Sequence, residues 1–228
     1  DIYQREKGAG LMNDMFIAEM LFWAIVSYLI GSVSFGYIVS KDAGVDIRSS
    51  GSGNIGTTNA LRTLGIKAGF ITFIGDFLKA VIPCIAARIL SVDVFGDSPD
   101  FAYAVSLVAG LGAVLGHNFP FWMQFKGGKG IAVTSGVTVA IALEHWYYCA
   151  IALAIFVIIV LVTKYVSVGS LCVPAWALPV YALIYERSNT YFVLIMILSL
   201  MYTVLAFIKH APNISRLING TENKLFSK

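Results

Sequence analysis

The chain has 228 residues, of which 58% are hydrophobic and 13% charged, and its formal net charge is +3. Soluble domains carry about 25% charged residues, so this composition excludes a soluble domain. It predicts an all-α, polytopic helical bundle of one domain in a membrane. The net charge is too small to predict nucleic acid as a partner. The cysteines lie in apolar stretches without metal-ligand spacing, so we expect small buried side chains and no metal site: Cys84, Cys149 and Cys172.

The first fifteen residues are polar and lack the apolar core of a signal peptide. Met12 and Met15 both precede the first apolar run. The segment 1–15 is therefore interpreted either as an added tail or as sequence upstream of the true start. We assign this tail no function and place a single transmembrane domain at 16–226.

The apolar segments of the domain have the length of transmembrane helices, since a bilayer core about 30 Å thick requires roughly 20 apolar residues. Seven spans are predicted, at 16–39, 68–90, 101–116, 131–144, 147–163, 168–185 and 190–208. The fourth is short and contains Gly136 and several hydroxyl side chains. A bundle with five full crossings and two half-inserted segments is therefore the alternative.

The distribution of lysine and arginine predicts how the bundle is oriented. With the N-terminus outside, four of the sixteen basic residues lie outside and one, Lys79, lies within the second span. The other eleven lie on the cytoplasmic side: Lys41, Arg48, Arg62, Lys67, Lys126, Lys129, Lys164, Lys209, Arg216, Lys224 and Lys228. We therefore expect an external N-terminus and a cytoplasmic C-terminus. Three polar segments then share the cytoplasmic face.

The first polar segment is GSGNIGTTNALR at 51–62. Its glycines permit tight bends and close approach to a ligand. Neutral hydrogen-bonding groups come from Ser52, Asn54, Thr57, Thr58 and Asn59. Arg62 adds a guanidinium suited to phosphate. A helix that begins near 57–59 would direct its free N–H groups at the same anion. A flexible loop with a capping hydroxyl is the alternative interpretation.

The second polar segment is GHNFPFWMQFKGGKGIAV at 116–133, and within it a turn at 126–130 carries two lysines among Gly127, Gly128 and Gly130. Successive N–H groups in such a turn can form an anion-binding nest. The apolar residues 119–122 just before it form an interfacial wedge. A basic turn that binds lipid headgroups is the alternative, and it explains the lysines but not the glycines.

The third polar segment, KHAPNISRL at 209–217, directly follows the last span. His210 and Asn213 are three residues apart, but Pro212 argues against a regular helical face there. We expect them to converge in a turn at the cytoplasmic mouth. Elsewhere, Asp76 and Lys79 have the spacing of a helical ion pair, which is either functional or a structural link within the bundle.

These segments closely resemble the bacterial acyl-phosphate:glycerol-3-phosphate acyltransferase family, PlsY. The resemblance covers about 16–226, and it is specific because three long motifs occur in the same order. The motifs are SGNIGTTNALR at 52–62, GHNFP at 116–120 with FKGGKG at 125–130, and HAPNISRL at 210–217 with GTE at 220–222. One small departure is Thr57, where the family commonly has alanine.

The resemblance implies a bacterial inner-membrane enzyme of seven helices that needs no cofactor. It would transfer a fatty acyl group from acyl phosphate to the 1-hydroxyl of sn-glycerol 3-phosphate, giving lysophosphatidic acid and phosphate. Membrane lipids surround it, and we expect a monomer. The implied catalytic residues are Lys129, His210 and Asn213. The implied substrate-binding residues are Ser52, Asn54, Arg62, Gly127, Gly128, Gly130 and Ser167.

No HxxxxD sequence occurs, so the histidine–aspartate base of another glycerophosphate acyltransferase class is absent. We expect the phosphate of glycerol 3-phosphate to accept the hydroxyl proton, with His210 as the alternative base. A transporter for an anionic solute is the main rival function. It would require an inverted repeat, and the two halves of the chain show no convincing similarity. A lipid-binding scaffold is a third reading, but it leaves the asparagines and glycines unexplained.

Overall fold

A computed structural model describes the backbone of residues 2–225 and the side chains of residues 15–225. Ten α-helices and three short 3₁₀ helices make up the regular structure of this part of the chain. The α-helices are α1 (Ile2–Gly31), α2 (Phe35–Asp42), α3 (Thr57–Leu64), α4 (Ile66–Asp93), α5 (Pro99–Asn118), α6 (Ile131–Ile141), α7 (Trp146–Thr163), α8 (Val166–Cys172), α9 (Pro174–Tyr185) and α10 (Phe192–Ile218).

Six segments of the described chain are long and apolar enough to cross a membrane. They are Met15–Asp42, Ile66–Asp93, Pro99–Met123, Leu143–Thr163, Val166–Tyr185 and Phe192–Ile218. The predicted fourth span corresponds to α6, which has 11 residues and is therefore about 16 Å long. It is shorter than a bilayer core, so the predicted count of seven is not confirmed. The all-helical, multi-pass bundle is confirmed.

Helices α5 and α7 differ most in how much of their surface is buried inside the bundle. In the most apolar stretch of α5, 78% of residues are buried, whereas the corresponding value for α7 is 6%. Helix α5 is therefore the central helix, and α7 turns most of its surface outward. The apolar side chains on α7 that are exposed, such as Ile151 and Leu161, are suited to lipid contact.

Glycines let α1 and α5 pack with their backbones in close contact. A Cβ atom at Gly112 would collide with the carbonyl oxygen of Ala24, and one at Gly116 would collide with that of Tyr28. The four-residue spacing of these two glycines is typical of close helix pairs in membranes. The Tyr28 hydroxyl also donates to the carbonyl oxygen of Phe119 at 2.8 Å. These contacts fix the end of α5 where the second polar segment begins.

A buried ionic cluster links three parts of the bundle. The predicted pair is confirmed, since Lys79 Nζ lies 2.8 Å from Asp76 Oδ1, with both side chains almost fully buried. Lys79 also donates to the carbonyl oxygen of Val33, at 2.6 Å, in the break between α1 and α2. Its Nζ lies 3.0 Å from Nδ1 of His117 on α5. The cluster therefore holds α4, α5 and the α1–α2 break together.

The expectation that Pro212 interrupts the last helix is wrong, because α10 continues to Ile218 with this proline inside it. A proline removes only its own N–H from the helical ladder, and the carbonyl left without a donor is that of Ile208. His210 and Asn213 therefore lie on one helical face, and both are buried.

Candidate active site

One cavity of about 650 Å³ connects the three polar segments. Its polar end is lined by Ser52, Asn54, Arg62, Lys129, Gly130, Ser167, His210, Asn213, Arg216 and Glu222. From there it continues as an apolar arm lined by Phe73, Phe77, Ile131, Val139, Cys149, Ala152, Leu153, Phe156, Val160 and Ala177. Eight of the ten residues predicted to form the site therefore lie around a single cavity, although they come from distant parts of the sequence.

Asn59 organises the first polar segment. Its side-chain nitrogen lies 2.8–3.2 Å from the carbonyl oxygens of Ile47, Ser50 and Asn54. Its side-chain oxygen accepts a hydrogen bond from the N–H of Ser52 at 2.9 Å. Asn59 is buried, so its amide holds the loop that carries the predicted site residues. The sequence suggested that Asn59 donates a hydrogen bond to the substrate. The sequence contains no signal that distinguishes this role from holding the loop.

Helix α3 begins at Thr57, as predicted from the sequence. Asn54 Oδ1 accepts a hydrogen bond from the N–H of Gly56 at 2.9 Å, which turns the chain into the helix. Thr57 and Thr58 in the first turn line the cavity. The Thr57 hydroxyl, at the position where this chain departs from the family pattern, is buried without a hydrogen-bond partner in the described structure. This helix start therefore faces the cavity with polar groups.

Gly127 and Gly128 support the site from behind and do not line the cavity. Their N–H groups donate to the carbonyl oxygens of Asn118 and His117, at 3.2 and 3.0 Å, so these amides are not free for a ligand. A Cβ atom at Gly127 would collide with the His117 carbonyl oxygen, and one at Gly128 with the His117 ring. The two glycines thus allow tight packing against the end of α5. Of the anion-binding nest expected at 127–130, Lys129 and Gly130 therefore remain available for a ligand, together with the first turn of α6.

Lys129 is a cation that faces the cavity without a fixed partner. No hydrogen bond or ion pair to its ammonium group occurs within the part of the chain that the structure describes. Burial lowers the pKa of Lys129 to about 8, although the nearby charge of Glu222 acts in the opposite direction. The neighbouring Gly130 has a positive φ of 81° and precedes α6, which directs the first N–H groups of that helix toward the same end of the cavity.

On α10, His210 and Asn213 lie one helical turn apart, facing the cavity. The Nδ1 atom of His210 lies 2.8 Å from the carbonyl oxygen of Ala206. The Asn213 side-chain nitrogen donates to Glu222 Oε1 at 2.6 Å. The cavity-facing side of α10 therefore carries two buried polar side chains, each of which is fixed by a partner of its own.

Glu222 is a central residue of the polar end that the sequence did not identify as such. Its carboxylate accepts hydrogen bonds from Ser167 Oγ at 3.0 Å, Asn213 Nδ2 at 2.6 Å and Arg216 Nε at 2.8 Å. Burial raises the pKa of this carboxyl, but the hydrogen bonds from Asn213, Arg216 and Ser167 outweigh burial and hold the pKa below its ordinary value. Glu222 is therefore charged near neutral pH. The sequence signal that could have identified Glu222 was its position in the third motif, in GTE at 220–222.

The segment after α10 also contacts the first polar segment. Arg62 Nη2 lies 3.0 Å from the carbonyl oxygen of Asn223 and 3.3 Å from that of Lys224. The N–H of Leu225 donates to the carbonyl oxygen of Lys164 at 2.8 Å. Residues 222–225 therefore bridge α3, α8 and α10 across the polar end. Within the described residues, no group of three His, Cys, Asp or Glu side chains is arranged to hold a metal ion.

Comparison with known proteins assigns the chain to a family. A family model described as glycerol-3-phosphate acyltransferase matches residues 21–220. The chain is 40% identical to a glycerol-3-phosphate acyltransferase of Clostridioides difficile (strain 630), with 94% of this chain and 99% of the relative covered. It is 43% identical to glycerol-3-phosphate acyltransferase 2 of Bacillus anthracis, with 88% and 96% covered.

Solved structures agree with these relatives. The crystal structure of PlsY (YgiH), an integral membrane glycerol 3-phosphate acyltransferase in its glycerol 3-phosphate form, matches with a TM-score of 0.75 and 35% identity. The match covers 90% of this chain and 94% of that one. The lysophosphatidic acid form matches with a TM-score of 0.72. The chain belongs to the glycerol-3-phosphate acyltransferase (PlsY) family, which confirms the predicted family and the predicted enzyme class, an acyltransferase in a multi-pass membrane fold.

Proposed function

We propose that this acyltransferase transfers a fatty acyl group from acyl phosphate to the 1-hydroxyl of sn-glycerol 3-phosphate, with lysophosphatidic acid and phosphate as products. The single observation that carries the proposal is the shared cavity. Its polar end offers an unpaired Lys129, and its apolar arm is suited to a fatty chain. The glycerol 3-phosphate and lysophosphatidic acid forms of the related PlsY structure support the acceptor and the product.

The polar end supplies groups that are suited to two phosphates. Arg62 and Lys129 line it as cations, and Ser52 contributes a hydroxyl. The first turn of α6, after Gly130, contributes free N–H groups. Asn54 and Ser167 complete the lining. Gly127 and Gly128 act indirectly, because their packing against α5 holds Lys129 and Gly130 in place.

The chemistry requires little covalent help from the protein. Acyl phosphate is a mixed anhydride, so its carbonyl carbon is electrophilic and phosphate is a good leaving group. The hydroxyl oxygen bonds to that carbon, the bond from carbon to the phosphate oxygen breaks, and the electron pair leaves with phosphate. Lys129 and the start of α6 stabilise the charge on the departing group, and the cavity aligns the two substrates. The hydroxyl proton passes to the phosphate of glycerol 3-phosphate, with His210 as the alternative acceptor.

We further propose that α6 is a seventh, shortened crossing. Lys129 before α6 and Ser167 after α7 both belong to the polar end. The turn between these helices contacts residues at the far ends of α4 and α9. Arg88 lies 3.3 Å from Glu144, and the hydroxyl of Tyr147 lies 3.4 Å from that of Tyr185. These contacts support the proposal that α6 and α7 cross the membrane in opposite directions. In this arrangement α6 is short because the 119–130 segment before it folds back toward the bundle.

The distribution of basic residues supports an external N-terminus and a polar end that opens to the cytoplasm of a bacterium, at its inner membrane. The expectation of buried cysteines is wrong for Cys172, which is exposed. Labelling with a membrane-impermeant thiol reagent, in variants that also carry Cys172→Ser, therefore tests this orientation. Lys126→Cys should react from the cytoplasmic side and Arg187→Cys from the outside. Labelling of both from the same side would contradict it. Since one chain supplies every residue of the polar end, we expect the monomer to be active.

The function itself is tested with purified protein in detergent. Phosphate release and lysophosphatidic acid formation should both require acyl phosphate and glycerol 3-phosphate together. Release of phosphate from acyl phosphate without glycerol 3-phosphate would indicate a hydrolase. In sealed vesicles, movement of glycerol 3-phosphate without any acylated product would indicate the rival transporter function. Replacement of acyl phosphate by acyl-CoA distinguishes the two donors.

A further inference from the structure

Lys79 fixes the orientation of the His117 ring. The ammonium group of Lys79 has three hydrogen atoms to donate and no lone pair. Its nitrogen lies 2.6 Å from the Val33 carbonyl oxygen, 2.8 Å from Asp76 Oδ1 and 3.0 Å from His117 Nδ1. Since the ammonium group can only donate, Nδ1 of His117 is the acceptor in the last of these contacts. Turning the ring over would remove that acceptor, so the imidazole is held in one orientation.

The far edge of this ring packs against the backbone of Gly128. A Cβ atom at Gly128 would collide with Nε2 of His117, and the next two atoms that it would meet, Cε1 and Cδ2, belong to the same ring. The N–H of Gly128 also donates to the His117 carbonyl oxygen at 3.0 Å. The side chain and the main chain of His117 therefore both hold this residue of the 126–130 turn.

The turn held in this way carries the groups that face the cavity, Lys129 and Gly130. The Lys129 ammonium group has no hydrogen bond or ion pair within the described residues, so its place depends on the backbone of the turn. Gly130 directly precedes α6. A displacement of Gly128 would therefore move both the cation and the first N–H groups of this helix. Misplacing a group that positions substrate by about 1 Å can reduce a rate by roughly 100-fold.

The ionic cluster is a costly way to join helices. Buried charges lose their hydration, and a buried ion pair often stabilises a fold no more than apolar side chains of similar volume do. Ionisable side chains at membrane depth are functional candidates for this reason. Asp76 and His117 border the cavity, and Phe77, next to Asp76 on α4, lines its apolar arm. The cost of the cluster and its location both indicate a role in the reaction.

We propose that Asp76, Lys79 and His117 are positioning residues for the acyl phosphate. The carboxylate of Asp76 stabilises the charge of Lys79, and Lys79 orients the His117 ring. The ring in turn sets the position of Gly128 and of the phosphate-binding groups that follow it. The inference rests on the proposed function and deepens it, because it connects a cluster inside the bundle to the group that binds the departing phosphate.

The first test uses the contact between the ring and Gly128. Gly128→Ala adds a methyl group that meets the ring, so kcat/KM for acyl phosphate should fall by about tenfold or more. His117→Asn keeps an amide oxygen that can accept from Lys79 but removes the ring, and it should lower kcat/KM because the turn loses its support. In the double variant the methyl group fills part of the vacated space. The combined loss should therefore be about tenfold smaller than the product of the two single losses.

Gly127→Ala is the matched control for this coupling. A Cβ atom at Gly127 would collide with the His117 carbonyl oxygen and with the Pro120 ring, and His117→Asn leaves both in place. The losses from Gly127→Ala and His117→Asn should therefore multiply. Steady-state kinetics at saturating glycerol 3-phosphate measure all of these variants. The same coupling at both glycines, or none at Gly128, would overturn the inference.

The second test separates positioning from stability. Asp76→Leu combined with Lys79→Met replaces the ion pair by apolar side chains, so the thermal unfolding temperature in detergent should stay within about 5 °C of the wild type. The His117 ring loses its fixed orientation in this variant, and kcat/KM for acyl phosphate should fall by about tenfold. Wild-type kinetics in the variant would overturn the inference. A large loss of thermal stability would identify the cluster as a structural link and would overturn it as well.

Formation of lysophosphatidic acid by the wild-type chain is measured in the same assays. An inactive wild type would contradict the proposed function, and the inference would fall with it. If the wild type is an active acyltransferase and the losses from Gly128→Ala and His117→Asn simply multiply, only the inference fails and the proposed function stands.

Discussion

The polar end and the apolar arm of the cavity are constructed by different means. The polar end takes its side chains from four separate parts of the sequence, and each part is fixed by directional hydrogen bonds. Asn59 holds the first segment through several backbone contacts, and Glu222 ties together α8 and α10. The apolar arm consists mainly of apolar side chains on α4, α6, α7 and α9.

The difference has a physical consequence for tolerance to mutation. A buried polar group that loses its partner costs roughly 1–3 kcal/mol, and a hydrogen bond requires both a short distance and a favourable angle. An apolar surface loses about 0.8 kcal/mol for each methylene that it no longer buries, without any requirement for direction. Changes in the polar end should therefore impair the reaction itself, whereas changes in the arm should alter which acyl chain is preferred.

The largest effect is expected at Lys129, the unpaired cation of the polar end. Lys129→Met removes the charge that neutralises phosphate, and we expect kcat/KM to fall by about 100-fold or more. Lys126→Met is the matched control, since Lys126 lies three residues earlier, is exposed and does not line the cavity. Steady-state kinetics with both variants measure the contrast. Equal losses in the two variants would mean that overall positive charge matters and the position of Lys129 does not.

A second effect concerns the scaffold of the polar end. Asn59→Ala leaves three carbonyl oxygens of the 47–54 loop without their donor and should destabilise the fold by about 2 kcal/mol. Activity should fall with it, because Ser52 and Asn54 lose their fixed positions. Thermal unfolding in detergent, compared with Thr63→Val on the same helix, measures the effect. Thr63 donates one hydrogen bond, to the Asn59 carbonyl oxygen within α3, so its variant should lose much less stability.

The pH dependence of the reaction provides a third test. The pKa of Lys129 is lowered by burial to about 8, so its ammonium group is charged below that pH and becomes neutral above it. We expect kcat/KM for glycerol 3-phosphate, which reports the free enzyme, to decline as the pH rises through about 8. Lys129→Arg keeps the cation across this range and should shift the decline to higher pH. An unchanged profile in that variant would assign the titration to another group.

The smallest effect is expected in the apolar arm. Ala152→Phe on α7 fills part of the arm, and we expect rates with long acyl phosphates to fall by about fourfold for each methylene displaced. Rates with short acyl phosphates should change little. Ala154→Phe is the control, since Ala154 is exposed on α7 and does not line the cavity. Competition between long and short donors measures the ratio. A uniform loss with all donors would show that the arm does not hold the acyl chain.

The sequence by itself determined several features of the polar end. Local motifs located the residues of the cavity, since donors and cations between apolar spans can only gather at an interface. The start of α3 at Thr57 and the pairing of Asp76 with Lys79 also followed from the sequence, because helix starts and neighbours on one helical turn depend on short-range spacing. The family followed from three ordered motifs. All of these are properties of contiguous residues.

Only the tertiary structure decided which polar groups are free to meet a ligand. Gly127 and Gly128 resembled an anion nest until their amides proved to be bonded to the end of α5. Asn59 resembled a ligand until its amide proved to hold the loop. Glu222 gained its role from Ser167, which lies 55 residues away along the chain. The reason is that a hydrogen bond depends on distance and direction in space, and the sequence records which groups exist but not which of them are already occupied.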